Sequence, residues 1–135
     1  MKTKSYLTIS DVKKILDAAE THARQNNWNV CIAVADDGGH LLGFLRLDGC
    51  PQASIKISQG KAYSAAVRRR PTKQDEDLVA SRLSVLSMPD ILFLEGGVPI
   101  AHNGDIIGAV GVSGVKSSDD AAIAAAGIAA LAIEG

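Results

Sequence analysis

Aromatic side chains make up only 4% of this 135-residue sequence, with one Trp, two Tyr and two Phe. Few large rings are available for a core, so Ala and Gly must let backbones approach closely instead. Cysteine is scarce as well. Cys31 and Cys50 make neither a disulfide framework nor a metal-pair spacing, and both read as small buried residues in apolar surroundings. No apolar run is long enough to span a bilayer. Met-Lys-Thr-Lys is followed by the polar Ser5 and not by an apolar segment, so no secretory leader is expected and the cytoplasm is the expected location. A formal charge of -1 argues against an electrostatically driven nucleic-acid binder.

Familiar site motifs are missing too. Gly108-x-x-Gly111-x-x-Gly114 lacks the G-x-G-x-x-G spacing, and Gly60-Lys61 lacks the upstream glycine of a P-loop. There is no G-x-S-x-G nucleophile elbow; Ser113 is in the wrong frame. His22, His40 and His102 stand too far apart for a sequence-local zinc site. Asp36-Asp37 reads as a turn, and Asp75-Glu76-Asp77 as a helix N-terminus or, as a weaker alternative, a surface site for a metal cation.

What is present describes one domain over residues 1–135. Asn103-Gly104 between two apolar runs predicts a hairpin of strands 97–102 and 105–113. Gly108, Gly111 and Gly114 in the second strand mark close approach, either by a packed helix or by a ligand. Upstream, Thr8 and Asp11 form a capping box with Leu7 and Val12 at the staple positions. Val12, Ile15, Leu16, Ala19 and Ala23 then make one helical stripe, ended by Asn26-Asn27. A buried strand at 30–35 turns at 36–39 and returns over 41–47. Pro51 suits the first turn of a second helix, which closes at Arg68-Arg69-Arg70 before Pro71. Thr72 and Asp75 repeat the capping pattern for a short helix to about residue 83. An irregular stretch (84–90) and a short strand (91–94) follow. Ser117, Ser118, Asp119 and Asp120 cap a last, Ala-rich helix over 121–133. The order is α-β-β-α-α-β-β-β-α. Its hairpins imply an α+β fold with a mainly antiparallel sheet and flanking helices, and not a doubly wound nucleotide binder.

Five segments carry a resemblance. They are the hairpin 33–42 (AVADDGGHLL), Arg46-Leu47-Asp48-Gly49-Cys50, Lys61-Ala62-Tyr63-Ser64-Ala65, GGVPI at 96–100, and IGAVGVSG at 107–114 before the Ala-rich helix. Together they resemble the GlcG–HbpS-like family of haem-binding and haem-degrading proteins, which includes the C-terminal domain of PduO-type corrinoid adenosyltransferases. Leu47 and Cys50 replace the more usual Met and Ala. The resemblance implies a compact α-β-α, profilin-like domain, usually homo-oligomeric, with haem as small-molecule partner and cofactor. It equally admits an accessory protein of corrinoid-dependent diol or glycerol metabolism, or a small-molecule sensor domain. It transfers no catalytic residue.

Candidate ligand residues come from placement. His22 falls on the edge of the first helix's apolar stripe, as either a half-buried structural His or an axial haem and iron ligand. Tyr63 sits among small residues, as core packing or as a ring over a macrocycle. Tyr6, Met88 and the cysteines are further possible iron ligands. Lys61, Arg68, Arg69, Arg70 and Lys73 form a basic cluster, which is either a solvated helix end or a seat for propionates. Gly111 and Gly114 are the glycines a ligand could approach.

Overall fold

The computed structural model describes residues 1–132. Helix α1 (Ile9–Gln25) leads to strands β1 (Cys31–Asp36) and β2 (Leu41–Arg46). Helices α2 (Ser54–Arg68) and α3 (Thr72–Val79) follow, then a 3-10 turn (Leu83–Ser87). Strands β3 (Gly97–His102) and β4 (Asp105–Ser113) precede helix α4 (Ser117–Ala132). The sheet order is β2-β1-β4-β3, and every pairing is antiparallel.

Local chemistry fixes much of this. The Thr8 hydroxyl accepts from the Asp11 amide at 3.2 Å, and the Asp11 carboxylate accepts from the Thr8 amide at 2.9 Å. Leu7 and Val12, the staple pair, join the same core cluster. At the β3–β4 turn Asn103 (φ 50°) and Gly104 (φ 82°) are both left-handed, as a type I′ turn requires.

The pleat sorts side chains into two layers. Ile32, Val34, Ile100, Val110 and Val112 point to α1 and α4, where they pack with Val12, Ile15, Ala19 and Ile123. Ala33, Ala35, Ala109 and Gly111 point the other way, to α2, against Ala62, Ala65 and Ala66. That second layer is built almost without large side chains. A methyl on Gly111 would overlap the Ser58 carbonyl oxygen and the Ala62 amide nitrogen, so α2 rests on the bare backbone of β4.

Several expectations change, and α4 begins at Ser117, ahead of the expected residue 121. Residues 91–94 form no strand: the Leu92 amide donates to Ser64 Oγ at 2.8 Å and its side chain lies against Gly60, so this apolar run packs along α2. Thr72 does not cap α3. Its hydroxyl accepts from the Gly97 amide at 2.9 Å, while Asp75 is drawn to Arg68, so tertiary partners win over the local box. Helix α3 stops at Val79, short of the expected residue 83, and part of the stretch expected to be irregular is the 3-10 turn. Pro51 lies in the turn before α2, accepting from the Ser54 amide at 3.0 Å. The expected end of α4 at Ile133 lies outside the described residues.

Candidate functional site

Helices α1 and α4 pack side by side because Gly127 brings α4 onto the Ile15 carbonyl; a methyl there would stand 2.9 Å from that oxygen. The close approach leaves a groove of about 530 Å³ on their outer side. Ala18 of α1 and Ala126 and Ala130 of α4, one turn apart, form apolar walls. His22 lines the groove half-buried, and its ring lies 6.1 Å from the Trp28 ring at a 50° tilt. Lys14, Asp17, Thr21 and Gln25 supply its polar groups. The sequence placed His22 at the stripe's edge. It did not single out Lys14, Ala126 or Ala130, although the i, i+4 alanines of α4 were the available signal.

Tyr63, Lys61, Arg68, Arg69 and Gly111 belong to the opposite face of the sheet, with α2. Tyr63 lies half-buried with its ring over Gly39 (φ 83°), where any side chain would overlap the ring. Lys61 is not open to a ligand carboxylate, a correction to its expected role. Its ammonium donates to the Val112 carbonyl at 2.9 Å and to Asp120 at 3.2 Å, and both side chains are almost fully buried. Burial pushes the Asp120 carboxyl above the usual range, against the opposing pull of Lys61 and the Val115 amide.

Arg68 is likewise engaged. It holds the buried Asp75 with two hydrogen bonds of 3.1 Å, and Arg70 approaches the same carboxylate at 3.7 Å. The Asp75 partnership raises the Arg68 guanidinium above its ordinary value. Arg69 is left-handed (φ 61°) and donates to the Asp37 and Ile106 carbonyls at 3.1 and 3.3 Å. It lines a separate cleft of about 500 Å³ with Lys2 and Lys4. Gly111 faces α2, and Gly114 (φ 148°) faces the backbone of Asn29 and Val30, so protein packing accounts for both glycines. One chain therefore does not bring His22 together with Tyr63, Lys61, Arg68 or Gly111.

Of the remaining ligand candidates, Tyr6 is exposed, Met88 is half-buried, and both cysteines are buried. His102 borders a smaller cleft of about 330 Å³ with Tyr6, Ile107 and Leu131. Among the described residues, no three or more His, Cys, Asp or Glu side chains converge as a metal site. No described helix is long and apolar enough to cross a membrane.

Residues 7–129 match the family described as "Haem degrading protein HbpS-like". The chain belongs to this HbpS-like family. Its α+β architecture is the family's: a Streptomyces reticuli HbpS double mutant superposes with a TM-score of 0.90 at 32% identity, over 97% of this chain and 90% of that one. Protein GlcG of Escherichia coli strain K12 is 49% identical over 114 residues, covering 84% of this chain and 85% of GlcG. A PduOC:heme complex shares the fold, with a TM-score of 0.86 at 24% identity over 93% of this chain and 95% of that one. In this HbpS-like chain the five motif segments lie mainly on β1, β2, α2, β3 and β4. They build the sheet and its α2 layer, whereas His22 lies outside them, on α1.

Proposed function

We propose that this chain binds haem in the groove between α1 and α4, with the His22 imidazole as axial ligand. The observation that carries the reading is the placement of a half-buried imidazole between the alanine walls of an open groove. A neutral imidazole nitrogen is a suitable donor to haem iron. The flat Ala18, Ala126 and Ala130 surfaces suit the face of a macrocycle. The Trp28 ring stands beside the His22 ring. Bound haem would supply an iron centre and a visible chromophore; the protein would supply the ligand and the apolar walls.

The family's description as haem-degrading supports the choice of ligand. The reading assigns binding and leaves no residue of this chain in a catalytic role. It also includes a homo-oligomer. Leu83 and Leu86 stand exposed on the 3-10 turn, an apolar patch suited to a second copy.

An absorbance titration with haemin tests it. The wild type should give a saturable, shifted Soret band at one haem per chain. An Ala126→Glu variant, with a carboxylate in the groove, should lose most of the affinity while keeping its fold by circular dichroism. An unshifted band in the wild type, or full affinity in Ala126→Glu, would overturn the groove.

A further inference from the structure

The two cysteines take no part in the haem reading. Cys31 opens β1, between Arg46 of β2 and Ser113 of β4. Cys50 lies in the loop from β2 to α2, on the sheet face away from the groove. The β1–β2 hairpin carries the chain back on itself, and the two Sγ atoms stand 2.9 Å apart. A disulfide bond measures about 2.05 Å, so bonding needs an approach of less than about 1 Å. Access is unequal. Cys31 is fully buried, whereas Cys50 is 6% exposed in a loop whose Asp48, Gly49, Pro51 and Gln52 are exposed.

We propose that Cys31 and Cys50 form a reversible dithiol–disulfide pair that a hydroperoxide oxidises, Cys50 reacting first and Cys31 resolving. With hydrogen peroxide, the Cys50 thiolate attacks one peroxide oxygen. An S–O bond forms, the O–O bond breaks, and the departing hydroxide takes up the proton released by Cys50 and leaves as water. The Cys31 sulfur then attacks the Cys50 sulfenic acid. The S–S bond forms, the S–O bond breaks, and the oxygen leaves as a second water with the Cys31 proton. Two electrons and two protons pass from the thiols to the peroxide. Burial, and next the Cys50 hydrogen bond, push the Cys31 thiol up to about 12, so Cys31 is not the sulfur that meets the peroxide first. The bond would tie the loop leading into α2 to the edge of β1.

The test uses the reduced wild-type protein. It is treated with hydrogen peroxide, denatured, alkylated, digested and mapped by mass spectrometry. The pairing predicts a Cys31–Cys50 crosslinked peptide, an intact mass lower by two hydrogens, and recovery of both thiols with dithiothreitol. The oxidised protein should also melt at a higher temperature than the reduced one. In Cys31→Ser, dimedone should trap a sulfenic acid on Cys50. Two alkylated thiols after treatment, added oxygen without a crosslink, or crosslinks only between molecules would overturn the pair. None of these outcomes depends on haem.

Discussion

Lys61 of α2 and Asp120 of α4 meet at 3.2 Å, and the same ammonium donates to the Val112 carbonyl at 2.9 Å. This buried contact joins the helix on one face of the sheet to the first turn of the helix on the other. Removing one partner leaves the other charge in a place water does not reach. Lys61→Met should cost about 3–5 kcal/mol in chemical denaturation. Lys61→Met/Asp120→Asn should cost clearly less than the sum of the two single changes. Burial already raises the Asp120 carboxyl in the wild type, and without Lys61 it rises further. A carboxyl whose folded value lies above its unfolded one binds its proton more tightly when folded. The Lys61→Met deficit should therefore be largest at neutral pH and shrink as pH falls through that raised value. A deficit independent of pH would contradict the account.

The α1 cap gives the opposite sign. The Thr8 amide, and next its hydroxyl, hold the Asp11 carboxyl below its ordinary value of 3.8. That contribution is complete above the ordinary value and is lost as pH falls through the lower folded one. Asp11→Asn should flatten the acid side of the stability profile, and Thr8→Ala should cost about 1 kcal/mol. Urea melts from pH 2 to 7 would show both effects.

Two glycines of β4 and its turn should behave differently. Gly111→Ala drives a methyl into α2 backbone, so α2 must move; the expected loss is about 3 kcal/mol or more. Gly104 has open space around it, and only its left-handed φ of 82° resists a side chain, so Gly104→Ala should cost about 1 kcal/mol. Equal melting temperatures for the two variants would show that α2 is not seated on Gly111.

The parts of the fold that were legible in the sequence are those decided within a few residues. The Asn103-Gly104 turn, the Thr8–Asp11 box and the span of β4 follow from turn chemistry, capping and the apolar run after the turn. The same capping pattern at Thr72 and Asp75 misled, because Gly97 and Arg68, distant in sequence, offered those side chains better partners. The 91–94 run looked like a strand because an apolar stretch does not say which surface will cover it; here it is α2. The candidate site was half legible. Helical spacing placed His22 at a stripe edge, and the structure adds the α4 alanines opposite it. No local pattern shows that α1 and α2 pack on opposite faces of the sheet, and that separation removes Tyr63, Lys61 and Arg68 from its reach. The pairing of Cys31 with Cys50 was hidden in the same way.

As proposed, His22, and no group on the α2 face or in the His102 cleft, would ligate haem. Haemin titrations of wild type, His22→Ala, Tyr63→Phe and His102→Ala, followed at the Soret band, test it most directly. A saturable band is expected in wild type, Tyr63→Phe and His102→Ala, with its loss or displacement in His22→Ala. A band unchanged in His22→Ala, or lost in Tyr63→Phe or His102→Ala instead, would contradict it.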